Sequence, residues 1–175
     1  MADEAPIPGR LGELREQMPV AIVPMGAVQF VRFQEIPVIA AEHLQGCSVV
    51  IIASTYGAIL GHITPLPSDA STDELGYENV RLMMRRVATL YHYYRAQHFF
   101  PTAGTIIVCA AHDGAIRLPD QVHIMQNCFN EIGYDPMIRT YNAPWIANFP
   151  GRGTVIVRSW LNHQPPTVYV EDRPI

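Results

Sequence analysis

Short apolar runs separated by polar turn residues fill most of this chain, a rhythm that predicts strands more often than helices. Residues 20–23 form one apolar run and residues 37–41 another. Between them, residues 27–33 alternate, with Val28, Phe30 and Arg32 opposite Ala27, Gln29, Val31 and Phe33. That is the two-residue period of a half-buried strand. Two further runs, Cys47-Ser48-Val49-Val50-Ile51-Ile52-Ala53 and Ala58-Ile59-Leu60-Gly61-His62-Ile63, flank the polar stretch Ser54-Thr55-Tyr56-Gly57. They predict a β-hairpin. Thr64 to Asp69 carries two prolines and reads as a loop.

The period then changes. Ser71-Thr72-Asp73-Glu74 fits a capping box with Ser71 as N-cap. A long helix is expected over 73–100, where Val80, Met83, Met84, Val87, Leu90, Tyr91 and Tyr94 recur at helical spacing. An apolar strand over 105–110 leads into the turn His112-Asp113-Gly114. A second helix starts at Pro119 and stops before Gly133, with Val122, Met125, Cys128, Phe129 and Ile132 as its buried stripe. Strands over 136–141, 153–159 and 167–171 close the chain, after a Pro/Trp loop over 142–152. Residues 1–18 read as a tail or a loose opening helix (Leu11 to Gln17), and 19–175 as one domain. The fold class expected is α/β: a single-domain layered β core of mixed and antiparallel strands, flanked by two main helices.

Composition narrows the function. With 175 residues, about half of them apolar, the chain suits one domain with a real core. Its net charge of −4 gives no attraction to nucleic acid or anionic membrane. No apolar run is long enough to span a bilayer, and the acidic N-terminus lacks the features of a secretory signal. Three cysteines without a CxxC motif argue against a disulfide framework, and a cytoplasmic location is expected. All 12 basic residues are arginine. Without lysine, Schiff-base chemistry, pyridoxal phosphate attachment and a P-loop are excluded. The seven histidines show no metal-ligand spacing, so neither a metal nor another cofactor is expected.

Candidate chemistry concentrates at the hairpin. A two-residue loop at Ser54-Thr55 would set Cys47 opposite His62. A four-residue loop over 54–57 would set Cys47 opposite Thr64, with His62 diagonal. In both registers thiol and imidazole share a face, within roughly 5–8 Å between Cβ atoms. A three-residue loop would separate them. A thiol beside an imidazole is a nucleophile with a base. Gly46 would allow close approach, and Gly61 would leave room beside His62. The plain alternative for Cys47 is a buried structural cysteine, as expected for Cys109 and Cys128. His112 with Asp113 is a further candidate on the substrate side, with a polar turn as the plainer reading.

These residues carry a resemblance. Leu44-Gln45-Gly46-Cys47-Ser48-Val49-Val50, a turn, and then Gly61-His62-Ile63-Thr64-Pro65-Leu66-Pro67 resemble the bacterial chemoreceptor glutamine deamidases. The order of elements downstream is similar as well, so the likeness spans about residues 20–171, with only the Cys/His hairpin specific. The resemblance implies Cys47 as nucleophile and His62 as general base, acting on a glutamine side-chain carboxamide of a protein substrate or on a small amide. Where that family has a catalytic Thr, six positions before the cysteine, this chain has Ala41. The hairpin is also about two residues shorter. Glu42, His43 and Thr64 are the candidates to orient His62, and backbone N–H groups near Gly46 the candidate oxyanion donors. The alternative is a non-catalytic protein-binding module on the same scaffold, motivated by Ala41. A third reading keeps the thiol-imidazole pair for another acyl chemistry.

Overall fold

Valine, isoleucine and alanine dominate the middle of the sequence, and in the computed structural model these residues form strands buried on both faces. The structure describes residues 5, 7–66, 72–145 and 147–175. Among them the order is α1 (Arg10–Gln17), β1 (Val20–Ile22), β2 (Val28–Arg32), β3 (Val38–Ala41), β4 (Ser48–Ala53), β5 (Gly57–Ile63) and α2 (Asp73–Arg95). There follow β6 (Gly104–His112), β7 (Ala115–Ile116), α3 (Pro119–Glu131), β8 (Met137–Asn142), β9 (Val155–Arg158), β10 (Thr167–Val170) and β11 (Arg173–Pro174).

The strands form two sheets, in the orders β1-β3-β9-β10-β11 and β2-β5-β4-β6-β7, with β8 added parallel to β6. Alternation sorts the side chains into layers. Ile39, Ala41, Val155 and Val157 of the first sheet meet Val49, Ile51, Leu60 and Val108 of the second in one core. Val50, Ile52, Ile59 and Ile107 point the other way, onto Met83, Val87, Met125 and Phe129 of α2 and α3. On the outer face of the first sheet, Val38, Ala40 and Ile156 pack against Leu11 and Leu14. The molecule is therefore a mixed α/β domain with layers in the order helix, sheet, sheet, helices.

Several expectations change at the boundaries. The opening helix over Arg10–Gln17 is packed, not loose: Leu11 and Leu14 are buried, and Asp172 accepts a hydrogen bond from the Arg10 backbone at 3.0 Å. The first turn of α2 is capped by Thr72, whose hydroxyl accepts from the Leu75 amide at 3.4 Å. The expected cap, Ser71, lies outside the described residues. α2 stops at Arg95 rather than Phe100 because His98 takes a positive φ of 65°. The chain then folds back and buries Phe100 beside Tyr91. Among the described residues there are three helices and eleven strands, where two main helices and a tail or loose opening helix were expected. One extra strand is β7, created by Asp113-Gly114. Both residues have positive φ, 48° and 77°, the requirement of a two-residue hairpin turn.

Candidate active site

The β4–β5 register decides whether Cys47 and His62 can work together. Ala53 pairs with Ala58 and Ser48 with Ile63, so the loop is the four-residue one. Val49 stands opposite His62. Cys47 precedes Val49 by two residues and joins the same core cluster, so thiol and imidazole lie on one face of the second sheet, diagonally placed. Both are buried, at 6% and 2% exposure.

His62 is held by the connection between β1 and β2. Its backbone N–H donates to Ala27 and its carbonyl accepts from Gly26. Its ring Nδ1 lies 3.0 Å from the carbonyl oxygen of Val23. A carbonyl only accepts, so Nδ1 carries the proton and Nε2 presents its lone pair. Nε2 is buried and has no hydrogen-bond partner. Burial lowers the pKa of His62 from 6.5, against a smaller upward pull from the Val23 carbonyl. The ring is thus a neutral base with one nitrogen fixed and the other unoccupied.

Burial also pushes the Cys47 thiol up from 9.0, partly offset by a hydrogen bond from its own backbone. The resting pair is neutral thiol and neutral imidazole. The backbone around Cys47 is locked by Tyr141. The tyrosine hydroxyl accepts from the Gly46 amide at 2.8 Å and donates to the Cys47 carbonyl at 2.7 Å. Burial holds that phenol well above its usual range, so it stays protonated.

Several expected partners make their contacts elsewhere. The Gly46 amide is occupied by Tyr141 and is not a free oxyanion donor. Gly46 itself is at φ 135°, so its role is conformational. His43 is exposed and turns to Glu42 at 3.7 Å, which in turn pairs with Arg15 of α1 at 2.9 Å. The Thr64 hydroxyl accepts from Asn79 of α2 at 3.4 Å, within a contact that also holds the Thr64 carbonyl. Gly61 does not make room for His62. A Cβ there would sit 2.9 Å from Val50 Cγ2 and 3.4 Å from Val87 Cγ2, on the helix-facing side. Ala41, where the resembled family has Thr, is fully buried in the inter-sheet core. The orienting contact is instead the Val23 carbonyl.

His112 and Asp113 sit at the same end of the second sheet, exposed, with His112 Nε2 3.4 Å from Asp113 Oδ2. Cys109 is buried in the core beneath α3, while Cys128 is half-buried. Among the described residues, no group of three His, Cys, Asp or Glu side chains is placed to hold a metal ion. None of the described helices is long and apolar enough to cross a membrane. Tyr141 and Val23 had no local signal in the sequence, because they lie 94 and 39 residues from their partners. No model of a known protein family matches the chain, and no curated protein matches it significantly.

Proposed function

We propose that this protein is a cysteine amidohydrolase of the glutamine-deamidase type, acting on a side-chain carboxamide through Cys47 and His62. The observation that carries this reading is the state of His62: a neutral imidazole, oriented by the Val23 carbonyl, whose unpartnered Nε2 lies on the same sheet face as the thiol. That is the arrangement a general base requires.

In this scheme Nε2 takes the Cys47 proton as the sulfur adds to the carboxamide carbon, and the carbonyl electron pair moves onto oxygen. His62 then returns the proton to the departing nitrogen, the C–N bond breaks, and ammonia leaves a thioester. Water adds to the thioester with His62 as base, giving the carboxylate and regenerating the thiol. The pair starts uncharged, so proton transfer accompanies attack instead of preceding it. The Val23 carbonyl would serve where the resembled family uses a threonine.

The test is ammonia release from glutamine-containing proteins and peptides, with the product carboxylate identified by mass. Cys47→Ala is expected to abolish release while retaining the circular dichroism and melting transition of the folded protein. Turnover by Cys47→Ala ends this reading. The near-complete burial of both side chains favours a second reading, a non-catalytic binding module. In that case Cys47 resists alkylation in the folded protein and no amide substrate releases ammonia.

A further inference from the structure

Beside Gly46, next to Cys47, stands a cation that the catalytic scheme does not use. A Cβ built on Gly46 would have Arg117 Nη1 as its nearest neighbour, at 3.7 Å, and Pro65 Cγ at 4.0 Å. The Arg117 charge also acts on the Tyr141 phenol, which is bonded to both Gly46 and Cys47. The guanidinium therefore stands beside the residue that precedes the nucleophile.

Its position is set by the backbone. Arg117 follows β7, and its amide donates to the Ala110 carbonyl at 3.0 Å. Extending the β4–β6 register, in which Val49 faces Val108, by two residues brings Ala110 beside Cys47. The helix α3 begins two residues after Arg117, and Gln121 in its first turn donates to the Pro65 carbonyl at 2.7 Å. The positive end of that helix dipole thus lies on the same side as the guanidinium.

The side chain is exposed, and among the described residues it has no carboxylate partner. The acids nearest in sequence are engaged elsewhere: Asp120 accepts from the Tyr77 hydroxyl at 2.9 Å, and Asp113 stands by His112. A guanidinium without a carboxylate partner among the described residues, beside Gly46 and in a protein of net charge −4, is placed to bind an anion.

We infer that Arg117 selects the substrate. It would hold a carboxylate adjacent to the carboxamide, so the substrate class is an amide with an acidic neighbour, such as a glutamine flanked by Asp or Glu. This rests on Cys47 being a reactive thiol at an accessible site.

Two alkylating reagents that differ in one group test it. Iodoacetate carries a carboxylate beside its reacting carbon and iodoacetamide a neutral amide. Rates at Cys47 are followed by peptide mass mapping at mildly alkaline pH and low salt, each normalised to a free thiol peptide. The normalised iodoacetate-to-iodoacetamide ratio is expected to be raised about tenfold, the scale of one favourable charge-assisted contact. Arg117→Gln is expected to return it to the reference value with the iodoacetamide rate unchanged, and Arg117→Lys to recover part of the preference. Added salt should weaken it. A ratio that is the same in wild type and Arg117→Gln, with Cys47 labelled by iodoacetamide, overturns the role of Arg117 and leaves the proposed chemistry standing. Failure of both reagents to reach Cys47 in the folded protein overturns both.

Discussion

One tyrosine hydroxyl fixes the backbone on both sides of the Cys47 Cα. Tyr141 accepts from Gly46 and donates to Cys47, and so satisfies two main-chain groups that the left-handed turn at Gly46 withdraws from the ladder. Phenylalanine would fit the same space without the oxygen. Tyr141→Phe then leaves a donor and an acceptor unpaired, at a cost of about 1–3 kcal/mol. A urea titration should register that loss as a lower midpoint with unchanged slope, and the alkylation rate of Cys47 should change with it. A stability equal to wild type would mean that water replaces the hydroxyl and that the bridge is incidental. The same reasoning explains why Ala41 does not leave His62 unsupported. The carbonyl of Val23 already occupies Nδ1, and Ala41 is sealed between the sheets where a hydroxyl would need a partner of its own.

At the level of elements, α1 keeps nearly the bounds expected of an opening helix but is packed rather than loose. Its sequence, RLGELREQ, is mostly polar, and only the pair Leu11 and Leu14 signals a buried side. Both are covered by the outer face of the first sheet, next to Tyr169. Leu14→Ala should cost about 2–5 kcal/mol, as large-to-small changes in cores do. It should leave Cys47 labelling untouched, because α1 lies two layers away from the inner face of the second sheet. A loss near zero in chemical denaturation would restore the picture of a loose segment. The contrast with the hairpin is instructive. Cys47 and His62 were legible as a pair because β4 and β5 follow one another, and a two- or four-residue loop leaves face parity unchanged. The long stripe on α2 and the Pro119 start of α3 were legible for the same reason, since their signals are local. Sheet order, the docking of α1, Tyr141, Arg117 and the Val23 carbonyl depend on contacts across many residues, and no spacing rule encodes them. β7 is an intermediate case: Asp113-Gly114 is a strong hairpin dipeptide, but a two-residue strand gives it little pattern to flank.

Across the whole molecule, burying titratable groups should give stability a defined pH window. His62 has its folded pKa below 6.5, so the unfolded chain takes up its proton first as pH falls. Stability is then lost progressively below 6.5, down to the folded value. Glu171 works in the opposite sense: burial raises its pKa above 4.5, so its protonation favours the folded state as pH falls from that raised value to 4.5. On the alkaline side, burial raises Cys47 from 9.0 and lifts Cys109 from 9.0 to about 11. Both contribute stability that is whole below 9.0 and is lost as pH rises through their folded values. Melting temperature plotted against pH should therefore be flat between 6.5 and 9.0 and fall on either side. Replacing His62 by Gln removes the imidazole without removing a polar side chain, and it should flatten the acid limb that begins below 6.5 whatever it does to the plateau. An unchanged acid limb in His62→Gln would mean that the ring takes up its proton as easily in the folded protein as outside it. A ring so readily protonated would not be the desolvated neutral base that the proposed amide chemistry needs.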